Sequence, residues 1–254
     1  MRHYKVWICL VILILFTNNL MGAGFKIYGY KTLEKGEFEI VYFNNYFAKS
    51  DLLQGYFGKI VDREGLMFHS LELEFGLTDR WTIAAYLDFE QPDGEDFKYT
   101  RFRGVFFRYR FFQRNKCFMD PALYIEYYLP RKEYKNEQEI EIKFILEKQI
   151  GKTSIKLNPS VEKVVKGPEV DEGLKFNYAA GLYYQFHEKI RGGLEFFGKM
   201  GEISKMNSSD KRHWIFPALK IKLPYHIGWE IGGGFGLTDN SDDFIVKNIF
   251  SIEF

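Results

Sequence analysis

Between Glu137 and Gly151 the chain reads EQEIEIKFILEKQIG. Ile140, Ile142, Phe144, Leu146 and Ile150 fall on one parity, and Glu139, Glu141, Lys143, Glu147 and Gln149 on the other. A period of two puts each set on one face of an extended strand, whereas a helix turning about 100° per residue would scatter the charges around its circumference. The run is about fourteen residues long, where a globular strand has roughly five or six. A strand of roughly 9–11 residues or more, apolar on one side and charged on the other, meets the requirement of a tilted transmembrane β-strand.

The same unit recurs to the end of the chain. Strand-like segments are predicted at 37–48, 65–77, 80–90, 98–112, 117–130, 137–150, 153–165, 173–186, 189–198, 212–223, 226–237 and 244–254. They number about twelve, an even count as single-chain barrels require. Met67, Leu71, Leu73, Phe75 and Leu77 alternate with Phe68, Ser70, Glu72, Glu74 and Gly76. Ile227, Trp229, Ile231, Phe235 and Leu237 likewise alternate with Gly228, Glu230, Gly232, Gly234 and Gly236. A soluble sandwich alternates too, but with shorter strands. The reading is therefore a single antiparallel up-and-down transmembrane β-barrel, all-β, over residues 24–254. Tight turns at 78–80, 113–116, 151–152, 187–188 and 224–225 intersperse with mostly longer connections at 49–64, 91–97, 131–136, 166–172, 199–211 and 238–243. Short turns are expected on the periplasmic side, longer loops outside and both chain ends in the periplasm.

Two features qualify this pattern. Aromatic girdles are expected from Trp81, Phe111, Phe112, Tyr184, Phe186 and Trp229 near the short turns, and from Tyr127, Tyr128 and Trp214 near the long loops. In the fourth segment Arg101 and Arg103 share one parity and Arg108 and Arg110 the other. An arginine facing lipid near the midplane costs about 2–4 kcal/mol, so either a bulge resets the register or the lower pair lies at the interface.

Composition narrows the picture. Residues 1–23 combine Arg2, His3 and Lys5 with the apolar run Val6 to Phe16 and small residues at Gly22-Ala23, the form of a secretory signal peptide. Removing it takes Arg2 and Lys5 from the 35 basic residues and leaves 33 against 34 acidic ones, a net charge of −1. That balance argues against a nucleic-acid partner. Cys9 leaves with the leader and Cys117 remains alone, so no internal disulfide framework is expected. A mean hydropathy of −0.27 suits a barrel whose lumen supplies the polarity while its outer face stays apolar.

The chain ends Asn248-Ile249-Phe250-Ser251-Ile252-Glu253-Phe254, with apolar or aromatic residues at alternate positions and a terminal Phe. This resembles the C-terminal signal of outer-membrane barrels, which implies recognition of Phe254 by the barrel assembly machinery and residence among the lipid of a Gram-negative outer membrane. The segment Leu71-Glu72-Leu73-Glu74-Phe75-Gly76-Leu77-Thr78-Asp79-Arg80-Trp81 resembles a hairpin of transporter-like barrels, including those named after the meta-pathway of phenol degradation. That likeness implies solute passage.

Chemistry is sparse. The chain has no G-x-S-x-G, H-E-x-x-H, C-x-x-C or phosphate-cradling loop, and no catalytic, metal or cofactor site is assigned. His69 and Ser70 point to opposite faces of a strand and cannot form a nucleophile–base pair. His187, His213 and His226 lie at strand ends. Gly232-Gly233-Gly234 lies within a strand and reads as relief of crowding. The candidate pore-lining residues are Asp88, Glu90, Arg101, Arg103 and Glu126, joined by Glu72, Glu74, Glu139, Glu141 and Lys143 at inward parity. A hairpin brings Asp88 and Glu90 beside Arg101 and Arg103, forming either an ion-pair ladder that fills the lumen or a charged constriction. The expected function is a narrow passive channel for small solutes. A barrel-embedded hydrolase of lipid or peptide and a closed structural or adhesive barrel are the alternatives.

Overall fold

The computed structural model describes residues 24–205 and 211–254; the leader expected at 1–23 lies outside the described residues. Twelve strands close into a barrel: β1 (Phe38–Lys49), β4 (Met67–Thr78), β5 (Trp81–Gln91), β6 (Lys98–Arg110), β7 (Asp120–Pro130), β8 (Gln138–Ile150), β9 (Thr153–Lys166), β10 (Lys175–His187), β11 (Ile190–Glu202), β12 (Arg212–Lys222), β13 (Ile227–Gly236) and β14 (Phe244–Glu253). Each strand pairs antiparallel with its neighbours in sequence, and β14 returns to β1 over ten register pairs from Glu39↔Glu253 to Lys49↔Phe244. Closure removes the free edges that an open sheet would expose to lipid.

Alternation sets the wall. On β8, Glu141, Glu147 and Ile145 are buried inside while Phe144 and Ile150 are exposed outside. Phe75, Leu87, Leu182, Leu194 and Leu219 are exposed in the same way on five other strands. The β6 arginines are reconciled by a bulge between Val105 and Phe107, matched by an irregularity between Thr82 and Ala84 on β5. Arg101, Arg103 and Arg108 are consequently all buried in the interior. One inserted residue switches the parity and keeps every one of these charges off the lipid face.

Three features depart from the expected picture. Residues 111–119 join β6 to β7, a longer connection than the tight turn predicted; Asn115 takes a φ of 65° there and donates its N–H to the Asp120 carboxylate at 2.6 Å. A small hairpin, β2 (Leu53–Tyr56) and β3 (Lys59–Asp62), rises inside the first long loop. It turns on Phe57 and Gly58, both left-handed, with φ of 48° and 83°; four-residue arms on such a turn carry too little periodicity to be read from sequence. Finally, Tyr128 and Trp214 are not girdle residues. Tyr128 hydrogen-bonds the Glu126 and Glu141 carboxylates in the lumen at 3.2 and 2.9 Å. Trp214 is buried against Phe25, with ring centroids 5.5 Å apart. Trp81 and Trp229 do stand in aromatic clusters at the short-turn end, Trp229 stacked on Phe250 at 5.7 Å and Trp81 tilted against Tyr109 at 4.6 Å.

Candidate functional site

The lumen is the only interior that a closed wall of this kind offers, and three elements fill it. The first is an ion-pair ladder built on β4 to β8. Asp88 on β5 receives Arg101 at 2.5 Å and Arg103 at 3.1 Å, and Ser70 donates to it at 2.6 Å. Arg103 reaches on to Glu126 at 3.0 Å and lies over the Tyr86 ring, 4.0 Å from its centroid. Below it, Arg108 pairs with Glu74 at 2.6 Å, and Tyr86 hydrogen-bonds both Glu72 and Tyr124. Lys143 pairs with Glu141 at 3.2 Å and stands over the Tyr28 and Tyr124 rings. All ten candidate residues thus face the interior, and the hairpin does join Asp88 to Arg101 and Arg103. Glu90 goes elsewhere, to Gln54 at 3.1 Å and Tyr134 at 2.7 Å, while Glu139 pairs with Lys135 at 2.8 Å.

The second element is the segment 24–37, which runs through the lumen instead of lying outside the barrel. Phe25 sits among Phe197, Trp214 and Phe216, with ring centroids at 4.8–5.5 Å. Lys26 bridges Glu72 at 2.6 Å and Glu74 at 3.3 Å. The Tyr28 backbone exchanges two hydrogen bonds with the Asn158 amide, at 2.7 and 3.2 Å, and its hydroxyl lies 2.9 Å from that of Tyr86. Tyr30 donates its N–H to Glu147 at 3.1 Å, and Thr32 and Leu33 bond Asp79 and Thr82 where the segment leaves at the short-turn end. An extended backbone buried in this way has its donors and acceptors met by the wall. No amphipathic period marks these residues, so pattern reading passes over them. The signal available in sequence was an inward-facing amide and carboxylates without an assigned partner.

The third element is the β2–β3 hairpin, which spans the mouth at the long-loop end. Arg63, just after it, makes a bidentate pair with Asp242 of the β13–β14 loop at 2.7 and 3.0 Å. On the opposite side Tyr56 donates to the backbone carbonyls of Glu90 and Asp96 at 3.1 and 2.5 Å. Burial, with the Glu90 carboxylate beside it, pushes the Tyr56 phenol up to about 12.

Space remains along β10 to β14. A cavity of about 360 Å³ opens at the short-turn end between the inner segment, that wall and the foot of the ladder, lined by Glu39, Glu74, Arg108, Arg191, Lys220 and Glu230 among others. Above it Lys247 is fully buried between Glu195 and Glu230, and Lys220 joins them at 2.5 Å from Glu230. The inward face of β13 has almost no side chains. A Cβ on Gly234 would stand 2.1 Å from the Phe216 ring, so the glycine there makes room for that ring. A second, tighter space of about 70 Å³ lies beyond Phe25, between Phe47, Lys199, Arg212 and Trp214. The buried cluster of Phe25, Ile27, Phe47, Phe68, Phe197 and Phe216 lies along its apolar side.

His69 faces outward to Tyr42 and Asn44, at 2.6 and 3.2 Å, while Ser70 faces inward to Asp88. The His213 ring meets Tyr178 at 3.0 Å, and the Ser241 hydroxyl bonds the backbone of His213 and the Thr238 hydroxyl. Among the described residues no cluster of three His, Cys, Asp or Glu is disposed to hold a metal.

No protein-family model matches the chain, and no curated protein does. Solved structures do. An outer membrane channel from Pseudomonas putida F1 superposes with a TM-score of 0.61 at 14% identity, covering 89% of this chain and 98% of that one. The KdgM porin gives a TM-score of 0.56 at 10% identity, covering 85% and 99%. The same porin in complex with disordered oligogalacturonate gives 0.54. At these identities the likeness is one of fold, and the fold is that of bacterial outer-membrane β-barrels.

Proposed function

We propose that the chain is a narrow passive channel of a Gram-negative outer membrane, carrying small polar or charged solutes along its β10–β14 wall. The observation that carries this reading is the asymmetry of the lumen. The ladder on β4–β8 is closed by mutual pairing, whereas the opposite wall keeps a 360 Å³ cavity bordered by charges of both signs, Lys31 and Arg191 as well as Glu39 and Glu253. Opposed charges across a confined aqueous space orient and select a solute by its own charges. The likeness to channels and porins agrees with this, as does a wall of twelve strands, between small filled barrels and the open porins of roughly 16–18. Residues 24–33 lie across the route and act as its constriction. Of the ten candidate pore-lining residues, Glu72 and Glu74 hold that segment through Lys26, while Asp88, Arg101, Arg103 and Glu126 brace the wall.

The test is conductance of the refolded barrel in a planar bilayer, with and without residues 24–33. Discrete openings are expected from the intact chain, and severalfold larger ones after deletion. Folded barrels that conduct in neither form would exclude the channel and favour a closed structural barrel. The Phe254 signal is tested apart from this: deleting Phe254 should lower the yield of folded, heat-modifiable barrel, and unchanged assembly would remove the terminal residue from the argument.

A further inference from the structure

Around the barrel, outward positions between the aromatic girdles are apolar on strand after strand. One seam departs. Asn44 on β1 is the register partner of Asn248 on β14, and also of His69 on β4. Their neighbours in sequence, Phe43, Asn45, Lys247 and Ile249, are buried on the lumen side, so the two asparagines and the histidine project to the outer surface. Tyr42 beside them is 40% exposed and gives its hydroxyl to the His69 ring. Asn44 reaches His69 at 3.2 Å. Asn248, partly exposed, has no side-chain partner among the described residues.

The depth of Asn248 makes this costly. Four residues above it Phe244 packs on Phe235, at 5.1 Å, and two below it Phe250 stacks on Trp229 at 5.7 Å. With a rise of about 3.3 Å per residue and a tilt of about 40°, the amide lies roughly 10 Å below Phe244 and 5 Å above Phe250, inside an outward apolar band about 25 Å tall. Water does not reach that level, and a carboxamide left there without a partner is strongly unfavourable. Nothing in the folding of the barrel requires it, since Ile231, its register partner on β13, fills the same outward level with an apolar side chain.

We propose that the seam β14–β1–β4 is the surface on which two copies of this chain associate in the membrane, Asn44 and Asn248 of one copy hydrogen-bonding the same residues of the other. The occupant follows from the chemistry of the amide. It carries one acceptor and two donors, so identical amides satisfy each other across a two-fold axis. A lipid acyl chain offers neither group, and the headgroups lie above Asn248. Because Asn44 and Asn248 are direct cross-strand neighbours, about 5 Å apart, an axis along the membrane normal between them brings Asn44 of each copy opposite Asn248 of the other. Strands tilted by about 40° in both copies then cross at about 80°, which concentrates the contact on these residues. His69, level with Asn44, and Tyr42, level with Phe250 toward the short-turn end, flank it. The inference is independent of the channel reading, for it uses only the outer face.

The experiment uses the full chain in native outer membranes, with Cys9 and Cys117 replaced by serine. Asn248→Cys is compared under oxidant with Leu157→Cys, an outward position on the far wall. Disulfide-linked dimer of this chain is expected from Asn248→Cys and not from Leu157→Cys. In nanodiscs the Asn44→Leu/Asn248→Leu variant should be a folded monomer, its association constant lower by roughly tenfold or more. Equal cross-linking at the two positions, cross-linking of Asn248→Cys to a different protein, or a double-leucine variant that stays dimeric would each overturn the proposal. Since the substitutions are apolar and face lipid, thermal stability of the monomer is expected to hold, and it is measured alongside.

Discussion

The wall of β4 to β8 and the wall of β10 to β14 follow the same rule, charged residues inward and apolar residues outward, yet one is solid and the other is not. The difference lies in what stands between the charges. On the solid wall the inward positions between carboxylates and arginines hold Tyr86, Tyr124 and Tyr128, whose rings pack under the guanidinium and ammonium groups and whose hydroxyls link the carboxylates. On the other wall the inward positions include Gly193, Ala218, Gly228, Gly232 and Gly234, and the volume not occupied there becomes a cavity and a bed for Phe25 and Phe216. Charge alternation alone therefore says that a lumen is polar. The size of the residues alternating with the charges decides whether it is filled.

The largest effect that separates the two walls is expected at Asp88. Replacing it with alanine leaves Arg101 and Arg103 buried, 5% exposed each, Arg103 keeping its pair with Glu126 and Arg101 losing its direct ion-pair partner. Breaking a buried pair from one side costs about 3–5 kcal/mol. Urea unfolding in vesicles should show that loss, and an Arg101→Ala/Arg103→Ala variant should lose stability as well. In both, the ion selectivity of barrels that do fold should stay at the wild-type value. A shift toward cations in the double-arginine variant would return these residues to the solute path.

The opposite response is expected of Lys220→Ala. Lys220 is 22% exposed at its side chain, and the cavity touches it. Its removal leaves Glu195 with Lys247 and Tyr183, so stability should fall by no more than about 1 kcal/mol, as for a partly solvated pair. Reversal potentials under a salt gradient should move toward cation preference. The shift should shrink between 0.1 and 1 M salt, as the Debye length drops from about 10 Å to about 3 Å. Unchanged reversal potentials would take this wall out of the conduction path.

How much of this was legible follows from the kind of signal each part leaves. The twelve strands were readable because burial on one face and lipid on the other enforce a strict period over ten or more residues, and their bounds fall within a few residues of those observed. The bulge on β6 was readable as a conflict, since four arginines on two parities admit few resolutions. The inward set on β4 to β8 was readable from parity, and its internal pairing from the β5–β6 hairpin. The same parity marks Glu195, Lys220, Glu230 and Lys247, but they are scattered over four strands and look like single charges until the barrel closes. The lumenal course of 24–33 left no periodic trace, because an isolated extended segment buries both of its faces and answers to the wall and not to itself. The asparagines on β1 and β14 came together only through closure, which pairs the first strand with the last.

The smallest effect tests the lid that both walls share. Burial on its own raises the Asp242 carboxyl, but the Arg63 guanidinium, with hydrogen bonds from Arg63 and Ser50, outweighs it and holds the group below the usual carboxylate value. A carboxyl depressed in the folded state stabilises that state above its unfolded value, near pH 3.9, and the contribution is lost as pH falls through the lower, folded value. The hairpin should therefore stay seated at neutral pH and loosen on its Asp242 side below about pH 4. Its Tyr56 side responds differently, since those hydrogen bonds end on the Glu90 and Asp96 backbone carbonyls, which do not titrate. Nitroxides at Lys59 and Asn240, in a chain with its cysteines replaced, read the distance across the mouth. The distribution should broaden at pH 3 in the wild type and at both pH 3 and pH 7 in Asp242→Asn, where the charge is absent throughout. A second label pair between Lys59 and Asp96 should report little change in either, because that anchor holds the hairpin to the solid wall. If the Asn240 distribution is the same at both pH values, the Arg63–Asp242 pair is not what closes the mouth over the open side.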